Sequence, residues 1–195
     1  MRQLMIAEFI TLDGVIQAPG GQDEDLDGGF LHGGWTFPYW HDSIGQHFFE
    51  AMTHTDTLLL GRKTWEIHGG AFEPMVDDPF GNTMNALNKY VVSTTLSSAQ
   101  AWRNSTLIRQ NVVETVRELK QAEGKNIMLD GSSVLAHTLI EHDLVDEYVL
   151  HVYPLVLGTG KRLWPDGKRV NLTLVSSELL PTGVLYQRYR PARSG

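Results

Sequence analysis

Apolar runs and segments with apolar residues every three or four positions alternate along this chain, with Gly, Pro and Asp clusters between them. Leu4 to Thr11 is short, mostly apolar and halted by Asp13-Gly14, which predicts a strand and a turn. Gln17 to Trp40 is rich in Gly, Pro, Asp and aromatic residues, and too long and too apolar in its second half for a simple connector; it is expected to form a functional loop or lid. Ile44, Phe48, Phe49 and Met52 have helical spacing within His41 to His54, with Asp42 or Ser43 as N-cap. Thr57 to Leu60 predicts a buried strand, Lys63 to His68 a helical turn, and Gly69 to Phe80 a loop. Strands follow at Tyr90 to Ser93 and Ser105 to Arg109. Asn111 with Glu114 reads as a capping box for a helix carrying Val112, Val116 and Leu119 on one face and ending at Gly124. Asn126 to Leu129 is a further strand, Ser132 or Ser133 caps a helix bearing Leu135, Leu139 and Ile140, and Asp146 to Leu157 reads as one long strand.

The repeated order of strand and helix, with strands apolar on both sides, predicts an α/β fold: a mostly parallel central sheet with helices on both faces, a three-layer sandwich. Leu172 to Ser177 and Gly183 to Arg190, separated by Leu-Pro-Thr-Gly, predict a C-terminal antiparallel hairpin at the sheet edge. The 195 residues suit one domain over 1–195. A formal charge of -7 argues against a broad nucleic-acid surface, so the few cations matter by position. With no cysteine, thiol chemistry is excluded and redox work requires a bound cofactor. The first residues lack a signal-peptide pattern and no apolar run is long enough to span a membrane, so a cytoplasmic protein is expected.

Two segments have the chemistry of anion cradles at strand-to-helix junctions. Gly61-Arg62-Lys63-Thr64 combines a close-approach glycine, two cations and a hydroxyl; Asp130-Gly131-Ser132-Ser133 places small hydroxyl residues at a helix start. Each pattern also occurs as a solvated turn or a plain cap. Eight histidines form no H-E-x-x-H, and no metal site is expected. Trp35, Phe37, Tyr39 and Trp40 suit either the wall of a flat pocket or core packing, and Gly158-Thr159-Gly160 with Lys161 and Arg162 suits a chain reversal.

In order along the chain, ITLDGVIQ, LLLGRKTWE, KYVVSTTL and NIMLDGSSVLAHTLIEHDLVDEYVLHVYPLVLGTGKRLW resemble the dihydrofolate reductase-like superfamily, most closely its branch related to the reductase domain of riboflavin biosynthesis. The resemblance implies an NADPH-dependent reductase acting on a small pteridine-like or pyrimidine-like heterocycle. It implies that Gly61, Arg62, Lys63 and Thr64 hold the adenosine 2'-phosphate and pyrophosphate, that Ser93 and Thr94 flank the adenine, and that Gly131, Ser132 and Ser133 receive the pyrophosphate. It also places Asp13 near the nicotinamide and substrate, as a candidate catalytic residue. Two departures stand out. Asp130 brings a carboxylate to the proposed pyrophosphate site, where repulsion would weaken nucleotide binding. The first-helix acid that binds folate in dihydrofolate reductases has no counterpart here, since Gly45 holds that position, which argues against folate. A nucleotide-binding protein without turnover on the same fold is the alternative, and a purely structural protein a third reading. Apolar residues on both faces of EYVLHVYPLVLG and in the terminal runs LTLVSSELL and GVLYQRYR predict a twofold homodimer, as do relatives in the riboflavin-type branch.

Overall fold

A computed structural model describes residues 1–192. Among them eight strands form one sheet in the order β4-β3-β2-β5-β1-β6-β8-β7. The strands are β1 (Leu4–Thr11), β2 (Thr55–Gly61), β3 (Asn88–Val92), β4 (Ser105–Ile108), β5 (Asn126–Asp130), β6 (Glu147–Tyr153), β7 (Leu172–Leu179) and β8 (Leu185–Pro191). The first six run parallel. The β7–β8 hairpin pairs antiparallel with itself and with β6.

Alternation along the strands explains the two covered faces. Leu4, Ile6 and Ile10 of β1 and Ile127 and Leu129 of β5 point to one side, under α4 (Val112–Gln121) and α5 (Ser133–Glu141). Met5, Ala7 and Met128 point to the other, under α1 (Asp42–Thr53), α2 (Arg62–Phe72) and α3 (Pro79–Ala86). Phe30 and Trp35 from the long loop after β1 join Ile44 and Tyr153 in a third cluster that pins the loop against the domain.

Several boundaries differ from the expectations. Part of the predicted loop Gly69 to Phe80 belongs to α2, and α3 begins before its end, opened by Pro79 after Asp78, whose carboxylate accepts from the Gly81 amide at 2.8 Å. The cap of α1 is the His41 ring, Nδ1 accepting from the Ser43 amide at 3.2 Å. Asn111 has left-handed backbone and makes no side-chain cap bond, so the expected capping box does not form. The predicted long strand stops at Tyr153 because Pro154 has no N–H to donate to a ladder. Asp146, just ahead of β6, orients that junction by accepting from the Leu4 amide at 2.8 Å and from Lys120 Nζ at 2.6 Å. No helix among the described residues is long and apolar enough to cross a membrane.

Candidate functional site

After β1 the chain moves outward through β2, β3 and β4, then returns to insert β5 between β2 and β1. This reversal leaves a crevice at the carboxyl ends of the central strands, the usual place for a ligand in an open α/β sheet. A cleft of ≈ 770 Å³ occupies it.

The two predicted cradles meet on one wall. The Ser132 hydroxyl accepts from the Gly61 amide at 2.8 Å and donates to Thr64 Oγ1 at 2.8 Å, joining the start of α2 to the start of α5. Gly131 and Ser132 both have positive φ, 66° and 65°, which turns the chain sharply out of β5. A Cβ on Gly131 would lie 2.9 Å from the methyl and hydroxyl of Thr64, and one on Gly61 would lie 3.1 Å from Ser132 Oγ. The contact therefore requires a glycine at 131 and leaves little room for a side chain at 61. Gly61, Arg62, Lys63, Thr64, Gly131, Ser132 and Ser133 all line the cleft. These features fit a phosphate-bearing nucleotide: small residues that let it approach the backbone, hydroxyls, and two helix starts with unpaired amides.

The two cations are not free. Arg62 makes an i,i+4 pair with Glu66, both carboxylate oxygens lying 3.0 Å from its Nη1. Lys63 Nζ lies 3.0 Å from Asp25 and 2.5 Å from Asp27, and Lys161 Nζ reaches the same carboxylates at 2.5 and 2.8 Å. The lysines hold the Asp27 carboxyl down at about 2, Lys161 with the larger effect. Burial opposes ionisation of Asp25, but the same lysines still hold it below the ordinary value. The long loop is thus tied across the cleft by four alternating charges, and an incoming phosphate would compete with Asp25 and Asp27 for Lys63.

Other predicted residues lie elsewhere. Ser93 caps the turn after β3, its hydroxyl accepting from the amides of Thr95 at 3.2 Å and Leu96 at 3.0 Å; Thr94 is exposed, and Val92 is the β3 residue that lines the cleft. Asp13 is not among the lining residues. Its carboxylate takes a 2.6 Å hydrogen bond from Thr11 and accepts from the amides of Leu157 at 3.2 Å and Gly158 at 2.8 Å. Partial burial would raise its pKa, yet these bonds hold it low. Asp13 ties the first turn to the loop after β6. Of the four aromatic loop residues only Trp40 lines the cleft; Trp35 is buried, and its indole N–H donates to the Gln17 carbonyl at 2.8 Å. Among the described residues no group of three or more His, Cys, Asp or Glu is arranged to hold a metal.

The second half of the cleft is walled by apolar side chains from α1, α2 and α3, including Ile44, Phe48, Ile67, Phe72, Phe80 and Met84. Gly45 lines it without an acid, and the carboxyls come instead from β1, β5 and the long loop: Glu8, Asp130 and Glu24. Asp130 turns to His68, whose Nε2 is 2.8 Å from its Oδ2, so its near partner is an imidazole rather than a phosphate. Burial lowers the basicity of His68, but Asp130 and then Glu24 outweigh it and raise its pKa. Burial also raises Glu24, against the 2.6 Å bond its carboxylate accepts from the Gly20 amide. Glu8 is 5% exposed, and burial followed by the neighbouring Asp130 charge pushes its carboxyl well above the usual range. The position of Glu8 was legible: in Leu4, Ile6, Glu8, Ile10 it is the one charged residue on an inward-facing register. His68 carried no such signal, because its partner is 62 positions away.

The cleft at the reversal of a mostly parallel sheet and the antiparallel C-terminal hairpin belong to a dihydrofolate reductase-like fold. Residues 2–186 match the RibD C-terminal domain, and the chain belongs to that family. It is 31% identical to YyaP of Bacillus subtilis (strain 168), over 94% of this chain and 92% of that one. Among solved structures, a protein of Shewanella sp. PV-4 provisionally assigned to riboflavin biosynthesis superposes with a TM-score of 0.75 at 22% identity, covering 98% of this chain and 99% of that one. Dihydrofolate reductase from Enterococcus faecalis, complexed with NADP(H) and RAB-propyl, superposes with a TM-score of 0.61 at 18% identity, covering 98% and 97%. These two likenesses concern the fold.

Proposed function

We propose that the protein is an NADPH-dependent reductase of a small pteridine-like or pyrimidine-like heterocycle. The observation that carries this reading is the convergence of the two cradles through Ser132, Thr64 and the Gly61 amide beside an apolar half-cleft that holds Glu8, Glu24, Asp130 and His68. Gly61, Thr64, Gly131, Ser132 and Ser133 would hold the pyrophosphate, Arg62 and Lys63 the 2'-phosphate, and Ser93 and Thr94 the adenine side. When bound, NADPH supplies the hydride. The chain positions the heterocycle between apolar walls, excludes water with the long loop and provides the proton. Asp13 serves this scheme by holding the loop at Leu157 and Gly158 rather than by meeting the substrate. Thermal shift with NADPH, followed by its oxidation against dihydropterins and ribosylaminopyrimidines, tests the reading; stabilisation without oxidation across the panel would favour a nucleotide-binding protein without turnover.

Arg62 gives the sharper test of cofactor choice. Its pair with Glu66 is exposed and worth only about 0.3–0.5 kcal/mol, so exchanging it for a phosphate dianion costs little. Arg62→Ala is expected to weaken NADPH binding about tenfold and leave NADH little changed, since a charge-assisted bond is worth about 1.5–3 kcal/mol. Equal losses for both, measured by titration calorimetry, would remove Arg62 from the phosphate site. Assembly is the other part of the proposal. Strand β7 is a sheet edge exposed along most of its length, with Leu174, Val175 and Leu179 open to solvent, and a second copy would cover it. Sedimentation at micromolar concentration is expected to show twice the 21.9 kDa chain mass; a monomer throughout that range would contradict it.

A further inference from the structure

One buried group in the cleft has no structural employment. Glu8 lies in the middle of β1, where its ladder neighbours are Leu150 on β6 and, one position earlier, the Ala7 to Asp130 pairing with β5. Its Oε1 is shielded from solvent and has no hydrogen-bond partner among the described residues, although the side chain lines the cleft. A carboxyl left unmatched in a core is destabilising, and an apolar residue would fill this strand position without that cost. The ionisable side chains that share the cleft with it are Asp130 from β5, His68 from α2, Glu24, Asp25 and Asp27 from the long loop, Arg62 and Lys63 at the start of α2, and Lys161. Asp130 and His68 are hydrogen-bonded to each other, and both remain about one-fifth exposed.

We propose that Glu8 is the acid that protonates the substrate in this cleft. The inference rests on the reductase reading above and adds to it the group that completes the reaction. Reduction of a carbon–nitrogen double bond needs a hydride at carbon and a proton at nitrogen. As the hydride arrives, the π pair shifts to nitrogen, which takes the proton of the Glu8 carboxyl and leaves Glu8 as a carboxylate. One proton then returns to Glu8 from water, so the acid is ready again and charge is conserved. The substrate implied is a heterocycle whose reducible bond ends in a basic ring nitrogen, which Glu8 would meet from the wall of the cleft. General acid catalysis of this kind contributes about 100-fold or more to rate.

The test uses the full-length protein labelled with carboxyl-¹³C glutamate, with and without NADPH, its carboxyl resonances followed by NMR across neutral pH. The resonance missing in Glu8→Gln identifies Glu8. It is expected to report a protonated carboxyl at neutral pH, and in Asp130→Asn, which removes the neighbouring negative charge, to titrate at lower pH. A panel substrate that is turned over is expected to lose about 100-fold in kcat in Glu8→Gln with KM little changed, and to recover in part in Glu8→Asp. An ionised Glu8 at neutral pH in a protein that NADPH stabilises would overturn the proton-donor role alone, as would full kcat in Glu8→Gln. Absence of any NADPH stabilisation of the unaltered protein would instead overturn the reductase reading, whatever the state of Glu8.

Discussion

Gly131→Val is expected to reduce NADPH affinity roughly 100-fold, about 2.7 kcal/mol, and to lower stability by about 1–3 kcal/mol. Two independent effects add at this position. The backbone there has φ of 66°, which a β-branched residue adopts only with strain. The new Cβ would also lie 2.9 Å from both Thr64 Cγ2 and Thr64 Oγ1. Thr64 cannot withdraw without giving up the hydrogen bond it accepts from Ser132, and Ser132 in turn accepts from the Gly61 amide. Both halves of the proposed phosphate cradle would therefore move together. Gly131→Ala should show the same losses in smaller measure. Isothermal titration with NADPH and urea denaturation measure the two effects separately, and a Gly131→Val protein that binds NADPH normally would show that the cradle does not hold the pyrophosphate.

Arg188→Ala is expected to destabilise the protein by about 3–5 kcal/mol, a fall in melting temperature of roughly 10 °C. Glu147 at the start of β6 is 1% exposed, and Arg188 from β8 places both Nε and Nη2 2.7 Å from its Oε1. In the antiparallel ladder Arg188 stands opposite Val149, so it reaches Glu147 along the diagonal of the pairing. Its removal leaves a buried carboxylate whose other cationic neighbour, Arg190, is 3.8 Å from Oε2. The double variant Arg188→Ala with Glu147→Gln should recover much of the loss, because it removes the stranded charge along with its partner. Urea midpoints of the three variants decide the matter; a loss below about 1 kcal/mol in the single variant would mean that Arg190 or water takes over the pair.

The antiparallel hairpin that Arg188 fastens shows how far local pattern reaches. Leu172 to Ser177 and Gly183 to Arg190 carry strand composition around a Pro-Thr-Gly turn, and a hairpin needs nothing more distant than its own turn. The strands of the parallel part were legible for a similar reason: Leu58, Leu59 and Leu60, or Ile127, Met128 and Leu129, are apolar at every position because helices cover both faces. Helix α3 was not, since Pro79, Gly81 and Asn82 have loop composition, and the segment is helical because Phe80 and Met84 pack against α1, α2 and the sheet. Tertiary packing overrode weak local propensity there.

The sequence by itself determined the fold class, the family and the two glycine and hydroxyl segments at strand-to-helix junctions, because those features lie in contiguous segments: a strand, its glycine and the first turn of the helix that follows. Tertiary structure alone decided how those segments meet and which charges remain available. Ser132 bridges Gly61 and Thr64 across about 70 positions, as expected of a sheet in which β5 inserts beside β2. Lys63 is held by Asp25 and Asp27 from the long loop, Asp130 is turned to His68, and Asp13 is drawn to the amides of Leu157 and Gly158. Each of these pairings joins charged or polar groups from separate elements within about 3 Å, a distance that residue order cannot encode and that burial of both sheet faces imposes.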